Sequence, residues 1–82
     1  METTATLAGL KPGSRAVILG LTASGEMRRR LEDIGFVPST SVVCIRYSPL
    51  GDPHAYRIRD SIIALRRKDA ETILIREEGS YE

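Results

Sequence analysis

Residues 40–65 read TSVVCIRYSPLGDPHAYRIRDSIIAL. Three short runs rich in β-branched and aromatic residues, TSVVCIRY, HAYRIRD and IIALR, are separated by clusters of turn-forming residues, the pattern of consecutive strands joined by hairpins. Val43, Ile45 and Tyr47 alternate with Val42, Cys44 and Arg46, so one set is expected on each side of a sheet. Tyr56 and Ile58 alternate in the same way with Arg57 and Arg59. Asp60-Ser61 reads as a tight turn. The first connection, SPLGDPHAY at 48–56, holds Pro49, Gly51, Asp52, Pro53 and the only histidine, His54, a few residues after the only cysteine, Cys44. It is either a reactive or metal-binding loop or a stiffened hairpin.

The flanks extend the pattern. ATLAGLKPG sets Leu7 and Leu10 before a Pro12-Gly13 turn, and SRAVILGL predicts a strand over about 14–20, ended or bent at Gly20. One helix is predicted in SGEMRRRLEDIGF. Ser24 suits the N-cap, and Glu26 lies in the first turn, where the helix dipole favours a negative charge. Met27, Leu31 and Ile34 recur at i, i+4 and i+7 and form one apolar stripe. Gly35 suits the left-handed C′ position, which brings Phe36 back onto Leu31. KDAETILIR predicts one helical or 3₁₀ turn and a last strand over about 72–76. Residues 1–4 are expected to be disordered and 77–82 to be a flexible tail. About five short strands with one inserted α-helix suggest a mainly β fold, a small SH3-like barrel.

With 82 residues the chain makes one small domain, and a single cysteine provides no internal disulfide. The N-terminus has neither the basic segment nor the long apolar segment of a signal peptide, and no run approaches the ~20 apolar residues of a membrane span. A cytoplasmic location is expected. Twelve Lys and Arg face eleven Asp and Glu, a formal net charge of +1 that supplies no broad basic field for nucleic acid. Ten of the twelve basic residues are arginine, the side chain suited to planar, bidentate contacts.

Three stretches, LAGLKPGSRAVI, MRRRLEDIGFVPST and SPLGDPHAYRIRDSIIALRRKDAETILI, resemble the FeoA family of the bacterial ferrous-iron uptake system. The resemblance covers residues 5–76, and its most specific part is Pro-Leu-Gly-Asp-Pro combined with Arg-Arg-Leu at this spacing. Two turns depart from the family pattern. Pro38-Ser39-Thr40 stands where the family usually has Pro-Gly-Thr, and Arg59-Asp60 where it usually has Arg-Gly. The resemblance implies an SH3-like barrel and an accessory role beside FeoB, a membrane transporter with a cytosolic GTPase domain.

The chemistry available from the residues is limited. One His, one Cys and no Asn assemble no Ser-His-Asp or Cys-His-Asn set, and no Gly-rich phosphate loop is present, so no enzymatic activity is expected. A soft-metal site wants several His or Cys ligands, and Cys44 with His54 across the hairpin leaves it incomplete. No metal site or cofactor is therefore assigned. A metal-binding or metal-sensing protein using these two residues is the alternative reading. Arg28, Arg29 and Arg30 form either a solvated helix face, balanced by Glu26–Arg30, Arg28–Glu32 and Arg29–Asp33 pairs at i, i+4, or a contact surface able to offer an arginine to a GTPase in trans. Leu50 sits on the tip stiffened by Pro49 and Pro53, as a packing peg or a partner contact. The expected partner-binding set is Met27, Arg28, Arg29, Arg30 and Leu50, and the expected partner is a membrane ferrous-iron transporter of the FeoB type. Neither nucleic acid nor direct membrane insertion is expected, and weak homo-oligomerisation is left open. With no Trp and one Phe, recognition of PxxP peptides by an aromatic groove is not expected.

Overall fold

The computed structural model describes residues 5–80. The elements in chain order are β1 (Ala5–Thr6), a 3₁₀ turn (Leu7–Gly9), β2 (Ser14–Leu21), α1 (Gly25–Ile34), β3 (Ser41–Tyr47), β4 (His54–Ile58), β5 (Ser61–Leu65), α2 (Arg67–Ala70) and β6 (Ile73–Ser80). The strands form one antiparallel sheet in the order β1-β6-β2-β3-β4-β5. The five expected strands are joined by the two-residue β1. The sheet curls as a small SH3-like barrel that stays open between β5 and β1. No helix among the described residues is long and apolar enough to cross a membrane.

The curl follows from irregularities in the ladder. Between β2 and β6, Ile18 pairs with Ile75 and Gly20 with Leu74, which leaves Leu19 as an extra residue. Between β3 and β4, Cys44 pairs with Tyr56 and Arg46 with Ala55, which leaves Ile45 extra. Such bulges bend a strand and sharpen its twist. The second one also corrects the expected alternation. Val42 and Cys44 point inward, but beyond the bulge the phase reverses, and Tyr47 joins the side of its partner His54.

One core fills the interior. Ala16 and Ile18 of β2, Val42 and Cys44 of β3, Tyr56 and Ile58 of β4, and Ile73 and Ile75 of β6 are buried together with Leu7, Leu10, Leu31, Phe36, Leu65 and Ala70. Helix α1 contributes Leu31, with Met27 packed at the margin of the core. Ile34, expected in the same stripe, is 36% exposed.

The helix ends as its sequence predicts. The N–H of Phe36 donates to Leu31 O at 3.0 Å and that of Gly35 to Glu32 O at 3.1 Å, the paired bonds of a Schellman stop. Gly35 takes φ 128°, a conformation that side chains resist, and the Arg59 side chain packs over it. Ser24 has the extended backbone of an N-cap (φ −134°, ψ 172°), but its hydroxyl makes no capping bond.

Both turns that depart from the family pattern carry a left-handed residue. Ser39 has φ 75°, and in the β4–β5 turn the left-handed position falls on Arg59 (φ 55°) rather than on the more tolerant Asp60. The last strand is longer than predicted. Ala16 pairs with Glu77, Arg15 with Gly79 and Ser14 with Ser80, so residues 77–80 of the expected tail are sheet. The charges of REE hid this strand from a reading based on apolar residues. The expectations for residues 1–4 and for Tyr81 and Glu82 lie outside the described residues.

Candidate functional site

The β3–β4 loop resolves the ambiguity of SPLGDPHAY. The N–H of Gly51 donates to Ser48 O at 2.8 Å, and that of Ser48 to Pro53 O at 3.1 Å, closing a tight turn. Gly51 has φ 87°, which places Leu50 at the apex, 94% exposed. Leu50 is therefore no packing peg. Asp52 Oδ1 accepts the N–H of Arg67 at 2.9 Å, fixing the loop to the start of α2.

His54, 4% exposed, braces the loop from inside. Its Nε2 lies 3.0 Å from Gly51 O and its Nδ1 3.0 Å from Tyr56 Oη. The Tyr56 hydroxyl lies 3.1 Å from Leu7 O, and the Tyr47 hydroxyl donates to Leu10 O at 2.9 Å. The Tyr47 ring stacks on His54 with centroids 3.9 Å apart. Three contacts meet around Tyr56 and His54, but the phenol has one proton. If Nε2–H donates to Gly51 O, Nδ1 of a neutral ring can only accept, and it competes with Leu7 O for the Tyr56 proton. The network ties the loop to the N-terminal 3₁₀ segment. Burial raises the Tyr56 phenol well above its usual range, with nearby Cys44, Tyr47 and Asp52 adding to the effect.

Cys44 and His54 lie on paired strands but are not register partners, since Cys44 faces Tyr56 and His54 faces Tyr47. Cys44 is fully buried, and desolvation pushes its thiol up to about 11, far from the thiolate that binds metals. Both His54 ring nitrogens are engaged. Among the described residues no group of three or more His, Cys, Asp or Glu side chains is placed to hold a metal ion.

On α1 the expected charge balance is only partly realised. Arg28 Nε meets Glu32 Oε2 at 3.1 Å. Neither Glu26–Arg30 nor Arg29–Asp33 forms, so among the described residues Arg29 and Arg30 have no carboxylate within 4.0 Å. Helix rotation separates the candidates. Met27 and Arg30 face β5 and α2 across a groove that Arg66 and Lys68 also line. Arg66 reaches a second depression with Asp52 and Pro53, at the base of the Leu50 tip. The start of α2 thus lies between the two predicted contact regions. Arg66, Lys68 and Ala64 line the groove beside Met27 and Arg30, and the sequence reading did not single them out. Their signal in the sequence, the run ALRRK, is short, and it gains meaning only when β5 proves to be an edge.

Comparison with known proteins agrees with this architecture. Residues 5–77 match the FeoA domain model. Over 67 residues the chain is 39% identical to a fusion of Fe(2+) transport protein A with the Fe(2+) transporter FeoB from Porphyromonas gingivalis, covering 82% of this chain but only 8% of the fusion protein. The solution structure of FeoA from Chlorobium tepidum superposes with a TM-score of 0.83 at 34% identity, over 89% of this chain and 70% of that one. The zinc complex of FeoA from Stenotrophomonas maltophilia, a prokaryotic SH3 domain protein, gives a TM-score of 0.79 at 26% identity, over 88% of this chain and 89% of that one. The family match over nearly the whole chain, the open SH3-like barrel and the braced Pro-Leu-Gly-Asp-Pro hairpin agree, and the chain belongs to the FeoA family, linked to ferrous-iron transport.

Proposed function

We propose that this chain is a non-enzymatic accessory protein of ferrous-iron uptake that binds the cytosolic side of a FeoB-type transporter. The observation that carries the reading is the fusion protein, in which a segment 39% identical to this chain shares one polypeptide with the transporter. A domain that works as a tethered part of a transporter in one organism is suited to work as a separate subunit in another.

The contact surface is the exposed arginine side of α1 with the groove it shares with the start of α2, and the loop tip. Leu50 is an exposed apolar anchor on a rigid support, so a partner that buries it gains apolar contact at little cost in loop ordering. Arg29 and Arg30, free of intrachain carboxylates among the described residues, are available for acidic groups or for a nucleotide held by the partner. The metal-binding alternative requires Cys44 to leave the core and His54 to leave Gly51 O and Tyr56, at the cost of both.

The test combines Arg29→Glu, Arg30→Glu and Leu50→Ser, all at exposed positions, and titrates the variant against the full-length cognate transporter. Binding should weaken by about a hundredfold, the loss of one anchor and two charge contacts. Unchanged binding with an unchanged far-UV spectrum would remove these residues from the interface.

A further inference from the structure

The two edges of the sheet differ. β1 is two residues long and pairs only with β6, whereas β5 presents five residues, SIIAL, as the other edge. Natural edge strands are usually protected by lysine, proline, a bulge or a covering element. β5 has no charge and no proline, and its register with β4 is unbroken. The two-residue turn makes Ile58 and Ser61 the closing pair, so bonded pairs recur at Tyr56–Ile63 and His54–Leu65. The N–H and C=O groups of Ile62 and Ala64 therefore point away from β4. Among the described residues no backbone hydrogen bond reaches them. Ile62 is 59% exposed, and Ala64 is also exposed.

Helix α1 runs beside this edge without closing it. Met27, Arg30 and Ile34 face Ala64, Leu65 and Arg66 across a groove of ≈ 430 Å³. The packing of Arg59 over Gly35 fixes the helix C-terminus at one end. At the other end Ala64 also lines a depression with Pro49, Pro53 and Ala55, bounded by Arg46. A groove between an unpaired strand and a helix is the geometry in which an extended peptide adds to a sheet, its main chain completing the ladder and its side chains entering flanking pockets.

Charge selects the occupant. Arg30, Arg66 and Lys68 line the groove, and among the described residues none has a carboxylate within 4.0 Å. Asp69 is the one acid on its walls. A second copy pairing through β5 would bring its own Arg66, Arg67 and Lys68 into a basic cleft. We propose that the free edge of β5 takes up an extended acidic segment of the transporter as an added strand between β5 and α1. This inference rests on the transporter reading above. Apolar side chains of the segment would meet Met27 and Ile34, and its carboxylates would meet Arg30, Arg66 and Lys68.

The probes are overlapping peptides covering the cytosolic segments of the cognate FeoB-type transporter, followed by amide spectra and hydrogen exchange of the labelled chain, with full-length transporter titrated in parallel. An acidic peptide should slow exchange at Ile62 and Ala64. Ala64→Pro removes a donor that makes no ladder bond, a position where an edge tolerates proline, and should weaken peptide and transporter binding by about threefold to tenfold, the loss of one net hydrogen bond. If that variant loses spectral dispersion, Arg66→Glu with Lys68→Glu, both exposed, should give a comparable loss. Full transporter binding by the variants would overturn the edge inference and leave the transporter reading intact. Protection of Ile62 and Ala64 that rises with protein concentration without peptide would assign the edge to a second copy and overturn it too. Failure of the wild-type chain to bind transporter would overturn the transporter reading itself.

Discussion

Tyr56→Phe tests whether the buried hydroxyl holds the β3–β4 loop in place. The substitution keeps the ring and removes one oxygen, which lies 3.1 Å from Leu7 O and 3.0 Å from His54 Nδ1. Tyr56 is 0% exposed, so water does not replace the lost partner without repacking. Leaving a buried polar group unsatisfied costs about 1–3 kcal/mol, and the single phenol proton serves one of the two competing acceptors at a time, so the expected cost is about 1–3 kcal/mol. A domain of 82 residues has a total stability of about 4–12 kcal/mol at 0.05–0.15 kcal/mol per residue, so the loss is a large fraction of it. Tyr47→Phe is the internal control. Its hydroxyl donates to Leu10 O at 2.9 Å, but the residue is 36% exposed and water can substitute, for a cost of about 0.5–1 kcal/mol. Urea unfolding should show the Tyr56→Phe midpoint falling well below that of Tyr47→Phe with the slope unchanged. Equal midpoints for the two variants would refute the reasoning.

Ser39→Gly should stabilise the protein by about 0.5–1 kcal/mol, because relief of the φ 75° conformation outweighs the extra freedom of glycine in the unfolded chain. A lowered urea midpoint would contradict this. Gly35→Ala should destabilise by about 1–3 kcal/mol, since φ is 128° and the new Cβ would sit 3.3 Å from Arg59 Cδ and 3.6 Å from Ile58 Cγ1. An unchanged melting curve would show that the Schellman stop is replaceable. Cys44 gives a pH dependence. Its thiol rises from 9.0 to about 11 on folding, so the unfolded thiol ionises first; stability present below about pH 9 is lost as pH rises toward 11, by about 3 kcal/mol. The slope should vanish in Cys44→Ala apart from the contributions of Tyr56 and Tyr47, both raised by burial in the same direction, and the native thiol should resist alkylation. A wild-type midpoint that is flat from about pH 8 to about pH 11 would argue against a desolvated thiol.

The strands, the helix and its glycine stop were legible because each rests on local rules: alternation, capping position and left-handed preference. What escaped depends on pairing. The bulge at Ile45 reverses the phase of β3, and no residue type marks it, so Tyr47 was placed with the wrong set. β1 is held by β6 alone and has too few residues for any periodic signal. Arg76, Glu77 and Glu78 lie on a strand whose partner β2 supplies the order, and their charges point outward. For the surface, the helix arginines and Leu50 were visible as residue types. Exposure of Leu50 required the Gly51 turn, and the placement of Ala64, Arg66 and Lys68 along one groove required knowing that β5 is an edge. The ion pairs of α1 were also underdetermined, since i, i+4 spacing permits three pairs and only Arg28–Glu32 forms.

The most direct measurement is titration of this chain against the cognate FeoB-type transporter, as the full-length protein and as its isolated GTPase domain, with GTP hydrolysis recorded in the same samples. An accessory protein acting through the α1, α2 and loop surface should bind the full-length transporter saturably and lose that binding with Leu50→Ser, Arg29→Glu and Arg30→Glu. A changed hydrolysis rate would add regulation of the GTPase to the role. Absence of binding to both constructs would contradict it.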